Sequence, residues 1–268
     1  MSFFQGKNIF KKFLKSSRIN WSIFEFESSG LGQIMNASGV DFVFLDMEHS
    51  GFSFADTKRS ITGFRAGSIP TLVRPPSNSY DHISRALDIG ADGVIMPMVS
   101  SKEEAEYIVS CMKYPPKGDR GVALGIAHDR YKSGDTAKVL SDANNRTVFV
   151  ALIETEEGLS EVEKIASVKD LDCLWIGHFD LSCSLGINGQ FTHPDFIKAT
   201  KKVQKAAQKY NKALGQLVNN AESGVAYFER GFDVICYSGD VWVYQNALAK
   251  GISELRKNCK DPQQKRKN

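Results

Sequence analysis

The sequence predicts a single (β/α)8 barrel, and three observations carry that expectation. Eight short β-rich runs recur along the chain, with amphipathic helical stretches between them. The runs are apolar on both faces, as strands of a parallel sheet covered by helices must be. The length, 268 residues, suits one large core of this architecture.

In order, the runs are WSIF (21–24), DFVFLD (41–46), PTLVRP (70–75), GVIMPMV (93–99), TVFVALIE (147–154), CLWIG (173–177), ALGQLV (213–218) and DVICYSG (233–239). Their valine, isoleucine and aromatic content favours extended backbone. Helices are expected over 55–64, 80–87, 102–113, 158–166, 193–210 and 223–230. The rhythm breaks once, between Met112 and Thr147, at YPPKGDRGVALGIAHDRY and the polar stretch after it. A connection that long is usually functional or partly helical. Here it is expected to arch over the barrel mouth, turned by its proline pair, Gly118 and Gly121. The final helical stretch, 241–257, either covers the barrel or packs on a partner subunit. The expected division is a basic segment (1–18), the barrel with its terminal helix (19–257) and a basic tail (258–268).

Composition narrows the class. With 42% hydrophobic and 24% charged residues the chain reads as an ordinary globular protein. No apolar run approaches the ~18 residues of a membrane helix. The lysine-dotted start lacks the uninterrupted apolar core of a secretion signal, so a cytoplasmic location is expected. The basic ends could touch nucleic acid or an anionic membrane, but no aromatic-interleaved basic groove accompanies them, and neither partner is expected. Five cysteines form no CxxC pair; Cys173 and Cys236, inside apolar runs, read as small buried hydrophobes.

Chemistry in such a barrel gathers at the C-terminal ends of the strands. Those ends carry Asp46, Glu48 and His49, then Arg74, Glu154, His178 with Asp180, Asn219 and Asp240. Glu154 closes VFVALIE and Asp180 follows CLWIG, so both carboxylates can aim at one hard divalent ion, which prefers oxygen ligands. Asp180 can equally cap the next helix. Histidine titrates near neutrality as a residue type, which makes His49 a candidate general base, or simply a polar loop residue. Arg74, stiffened by two following prolines, can donate to a keto oxygen or a developing enolate, or bridge to Asp46 or Glu48. Asp88 precedes a strand; it is either a cap at the opposite end of the barrel or a residue acting across a subunit interface. No phosphate-binding GxxxxGK[ST] is present, and no lysine lies in the eight runs to form a Schiff base.

Several of these pieces resemble, in order, the HpcH/HpaI aldolase family, metal-dependent class II aldolases of the phosphoenolpyruvate/pyruvate superfamily. They are FVFLDMEHS (42–50), LVRPP (72–76), SRALDIGADGVIMPMV (84–99), YPPKGDRG (114–121), LIETEEGL (152–159) and IGHFDLSCSLG (176–186). The resemblance implies that Glu154 and Asp180 hold a divalent metal ion (magnesium, manganese or cobalt). It implies that Arg74 contacts the pyruvyl keto oxygen, and that His49 does acid–base work with Asp88 as its partner. Backbone N–H groups around Gly177–Asp180 would hold the substrate carboxylate, and the pocket would be lined by Arg74, Gly177, His178, Asp180, Leu152 and Leu217. Leu152 stands where the family commonly has glutamine, His178 where it usually has proline, and Ile23 where a tryptophan is common. Family members usually form hexamers with exchanged C-terminal helices.

The implied activity is reversible cleavage of a 2-keto-4-hydroxy acid into pyruvate and an aldehyde through a pyruvate enolate. The rivals are a related lyase or condensing enzyme acting on another enolisable acid or an acyl-CoA, and a barrel that binds a keto acid without turning it over.

Overall fold

The computed structural model describes residues 30–258 and the backbone of residues 19–24. The expected basic segments, 1–18 and 258–268, lie outside the described residues except for Asn258. Eight strands form a closed parallel barrel in sequence order: β1 (Ile19–Phe24), β2 (Val43–Asp46), β3 (Thr71–Arg74), β4 (Gly93–Met96), β5 (Val148–Ile153), β6 (Cys173–Ile176), β7 (Ala213–Val218) and β8 (Val234–Gly239). Closure comes from β1, which pairs with β2 on one side and β8 on the other. The (β/α)8 expectation therefore holds, with every run placed on its strand.

The helices of the outer ring are α1 (Leu31–Ala37), α2 (Phe54–Ala66), α3 (Tyr80–Asp88), α4 (Lys102–Met112), α5 (Thr136–Arg146), α6 (Glu156–Ala166), α7 (His178–Ser184), α8 (Pro194–Lys209), α9 (Ala221–Glu229) and α10 (Asp240–Asn258). Local chemistry starts them. Ser53 and Asp56 form a capping box on α2, and Ser101, Thr155 and Asn220 cap α4, α6 and α9. The short α1 and α7 were not legible as helices, because seven residues carry too little periodicity to read.

Two apolar layers share the strands by alternation. Val43, Leu45, Phe149, Ala151, Ile153, Leu174 and Ile176 face the helices. Phe42, Phe44, Leu72, Ile95, Val150, Leu152, Cys173 and Trp175 fill the lumen. Gly215 makes room there, since a Cβ on it would lie 2.0 Å from the Trp175 ring.

The long connection after α4 does not arch over the mouth. It joins a helix C-terminus to the start of β5, and that direction of travel puts it at the N-terminal end of the barrel. The clasps agree. Buried Lys113 donates through Nζ to the Asn144 carbonyl (2.9 Å), the Thr147 carbonyl (3.0 Å) and Thr147 Oγ1 (2.8 Å). Arg65, at the end of α2, donates to the Ala127 carbonyl at 2.9 Å. Between Lys113 and Ala127 the segment contacts α3, where Arg120 meets Asp88 and the Gly121 N–H reaches the Tyr80 hydroxyl at 2.7 Å.

Candidate active site

Alternation along the strands decides which side chains reach the mouth. In β2 the inward set runs Phe42, Phe44, Asp46; in β3, Leu72, Arg74; around β5, Val148, Val150, Leu152, Glu154; around β6, Cys173, Trp175, Gly177. Each ends in a charged residue or a glycine above apolar layers. Leu152 is buried one layer beneath Glu154, and half-buried Leu217 packs on the same layer, so the two form a floor.

Asp46 organises one side of the mouth. Its carboxylate takes Arg74 Nε at 2.8 Å and Nη2 at 2.5 Å, a two-pronged fork. It also accepts the backbone N–H groups of Glu48 (3.0 Å) and His49 (3.3 Å). Burial pushes the Asp46 carboxyl up, but Arg74 and those N–H groups outweigh it and hold it below the usual carboxylate range. Burial likewise opposes the charge on Arg74, and Asp46 more than restores it. Glu48 lies 3.3 Å from Arg74 Nη1. Its carboxyl is pushed up by burial, with Asp46 and Asp180 adding to the rise against Arg74 and His49.

Glu154 occupies the other side. Its Oε2 accepts the Met98 N–H at 2.8 Å. A Cβ on Gly177 would sit 2.2 Å from Glu154 Oε1, so the glycine is what leaves room for this carboxylate. Burial, helped by Asp180 and Glu48 and opposed by the Met98 N–H and Arg74, pushes Glu154 up to about 7. Asp180 stands exposed in the first turn of α7, whose start carries no side-chain cap, so the capping alternative for Asp180 does not apply.

These residues fit a divalent ion. Three mutually repelling carboxylates share one arginine that Asp46 already grips, and a cation between Glu154 and Asp180 would relieve the excess charge. Among the described residues no group of three or more His, Cys, Asp or Glu is set to hold a metal. Two carboxylates suit an ion that keeps several waters, as magnesium does.

The remaining histidine and aspartate candidates are dispersed. His49 is exposed at the mouth, its Nε2 3.6 Å from Glu48. His178 continues the outward register of Leu174 and Ile176. It is buried against Phe179 and Phe191, accepts a 3.0 Å hydrogen bond from Gln216 at Nδ1, and burial pushes it down to about 4. Asp88 ends α3 and pairs with buried Arg120 at 2.6 Å, whose guanidinium lies 4.6 Å over Tyr114.

A sequence model of the HpcH/HpaI aldolase/citrate lyase family matches residues 27–247. The chain belongs to that family. A 5-keto-4-deoxy-D-glucarate aldolase of Shigella boydii serotype 18 is 28% identical over 251 residues, 93% of this chain and 97% of that one. The solved HpcH/HpaI aldolase of Desulfitobacterium hafniense DCB-2 superposes with a TM-score of 0.87 at 29% identity, covering 92% of this chain and 96% of the other. A family protein of Burkholderia cenocepacia J2315 gives 0.86 at 28% identity, over 93% and 99%. This HpcH/HpaI family member is therefore an enzyme of the lyase class, an aldolase by fold and kinship.

Of the residues expected from sequence, the barrel brings Arg74, His49, Glu154, Gly177 and Asp180 to one mouth, with Leu152 and Leu217 beneath. It turns the His178 side chain toward the helix layer and leaves Asp88 at the far end, away from the His49 of its own chain. Asp46 and Glu48 were legible as mouth residues, and the bridge from Arg74 to them, offered as the alternative to a substrate contact, is present; that the bridge aims the guanidinium was not legible. The signal was the alternation that makes Asp46 the inward successor of Phe42 and Phe44.

Proposed function

We propose that this aldolase reversibly cleaves a 2-keto-4-hydroxy acid to pyruvate and an aldehyde, with Glu154 and Asp180 as ligands of a divalent ion. The observation that carries this reading is the convergence of under-neutralised carboxylates on a fork-held arginine, with Gly177 opened to admit Glu154. When bound, the ion supplies Lewis-acid stabilisation at the oxygens where negative charge develops. Backbone N–H groups at the start of α7, from His178 to Asp180, hold the substrate carboxylate; the Gly177 N–H is given to the Ile153 carbonyl at 3.2 Å. Arg74 donates to the 2-keto oxygen, its guanidinium aimed by Asp46 so that little reorganisation is needed as charge builds there. His49 takes the proton of the 4-hydroxyl, the bond between C3 and C4 breaks, and the aldehyde leaves. The electron pair stays on the pyruvate enolate until C3 is protonated.

Asp88 serves His49 in this scheme only from a second copy of the chain, since the two lie at opposite ends of one barrel. Homo-oligomerisation fits α10, which has no buried residue and exposes Trp242, Tyr244, Leu248, Ile252 and Leu255. A hexamer is the proposed assembly. Cytoplasmic residence fits the free, buried Cys111, Cys173 and Cys236. Among the described residues no helix is long and apolar enough to cross a membrane.

The test is proton–deuterium exchange at the pyruvate methyl group in D2O, without metal and with magnesium, manganese or cobalt. Metal-dependent exchange is expected. No exchange with any of them would reject pyruvate as the enolised partner.

A further inference from the structure

A ring of hydrogen bonds through the turn after β4 closes on Glu154. Met98 donates its N–H to Glu154 Oε2 at 2.8 Å. The Met98 carbonyl accepts the Ser100 hydroxyl at 2.9 Å, and Ser100 Oγ lies 3.1 Å from Thr155 Oγ1. Thr155 is the residue after Glu154, so the ring returns to its start along the chain. The protons in it have one arrangement, because a hydroxyl carries a single proton. Ser100 gives its own to Met98, so Thr155 donates to Ser100, and Thr155 Oγ1 in turn accepts the Gly158 N–H at 2.9 Å. Each oxygen both accepts and donates, and such chains strengthen their members.

The ring holds a backbone conformation that is costly on its own. Met98 has φ +57°, in the left-handed region that a residue with a Cβ rarely adopts. Its side chain is 48% exposed, so the hold comes from the backbone groups around it rather than from the side chain. Ser100 is anchored in its turn. Its N–H goes to Glu104 Oε2 at 2.8 Å, and Asn78, from the turn after β3, donates to Glu104 Oε1 at 2.7 Å. Ser101 caps α4, which leaves the Ser100 hydroxyl for Met98. With Oε2 on the Met98 N–H, Oε1 is the oxygen beside Gly177, where α7 and its Asp180 begin.

We infer that Ser100 is a positioning residue for Glu154. Its hydroxyl keeps Met98 left-handed, which keeps the Met98 N–H on Oε2 and leaves Oε1 for the divalent ion. This deepens the function proposed above and rests on Glu154 being a ligand there.

The test is the affinity of the intact protein for Mn2+, read from the electron paramagnetic resonance signal of the free ion and not from turnover. Ser100→Ala should weaken Mn2+ about tenfold, and Ser100→Thr, which keeps the hydroxyl, should bind as the native protein does. Adding Met98→Gly to Ser100→Ala should recover most of the loss, because glycine takes a positive φ without strain. On top of Glu154→Gln, Ser100→Ala should cost nothing further. A merely structural serine would lower the melting temperature without this pattern of rescue and non-additivity. Met98→Val asks the same question without touching Ser100, should loss of the hydroxyl unfold the chain. A β-branched residue resists positive φ, so about a tenfold loss is expected there too. Native affinity in folded Ser100→Ala or in Met98→Val overturns the inference, as does a failure of Met98→Gly to rescue or a full further loss on Glu154→Gln. If Glu154→Gln itself binds Mn2+ as the native protein does, Glu154 is no ligand, and the proposed metal site falls together with this inference. If Glu154→Gln loses the ion and Ser100→Ala does not, only the inference falls.

Discussion

At the N-terminal end of the barrel Asp92, Asp172 and Asp233 each accept a backbone N–H from the neighbouring strand, at Thr71 (2.9 Å), Phe149 (3.1 Å) and Leu214 (3.0 Å). Asp88 there has Arg120. At the mouth, Glu154 has one N–H, from Met98, and faces two further carboxylates. The residue types are the same and the accounting differs. Carboxylates at the closed end are matched to donors and tie strand to strand. Those at the mouth are left with more negative charge than one gripped arginine can neutralise, an arrangement that costs stability and is useful once a cation and an anionic substrate arrive.

The sharpest way to break this contrast is Glu154→Gln. It should cut metal-dependent pyruvate methyl exchange by about 1,000-fold or more, because the ion loses a charged ligand. An unchanged rate and metal affinity would remove Glu154 from the ligand set. Arg74→Lys keeps the charge and loses the fork that Asp46 grips, with an expected loss of about 100-fold in the exchange rate. Near-normal rates would make the arginine a strut rather than part of the chemistry. Asp46→Asn weakens the fork without emptying the site. We expect about a tenfold loss in the native background and little further loss on top of Arg74→Lys, the non-additivity that marks action through a shared partner.

The pH dependence sharpens the contrast without mutation. In the metal-free protein Glu154 titrates at about 7 when folded, against 4.5 as an ordinary glutamate. The folded state therefore binds the extra proton between those values. The stability it contributes is fully present below pH 4.5 and is lost as pH rises through 7. Thermal melts of metal-free protein should show this decline, Glu154→Gln should flatten it, and magnesium should raise the melting temperature more above pH 7 than below pH 5. A magnesium effect independent of pH would place the ion elsewhere. The smallest effect is expected at the closed end. Asp92→Ala leaves the Thr71 N–H without its acceptor, at a cost of about 1–2 kcal/mol, roughly 2–6 °C in melting temperature, with methyl exchange unaltered. A slowed exchange rate there would mean the two ends are coupled.

The barrel was legible in the sequence because two-sided apolar runs have one good use, a sheet covered on both faces, and eight of them close it. The metal carboxylate candidates and Arg74 were legible for the same reason: strand ends are fixed by where the apolar runs stop. What failed was direction. The segment after Met112 was expected over the mouth, although its place between a helix and the next strand assigns it to the other end. His178 was expected in the pocket, although the register of Leu174 and Ile176 turns it outward.

Local pattern alone thus determined the fold class, the strand ends and the residues able to meet at the mouth, since burial periodicity is a property of neighbouring residues. Only the tertiary structure decided that Asp46 grips Arg74, that Gly177 gives Glu154 its room, and that Asp88 belongs to Arg120 rather than to its own chain's His49. Those relations join residues 28, 23 and 32 positions apart, and the first two depend on side-chain distances across neighbouring strands that no pattern along one strand encodes.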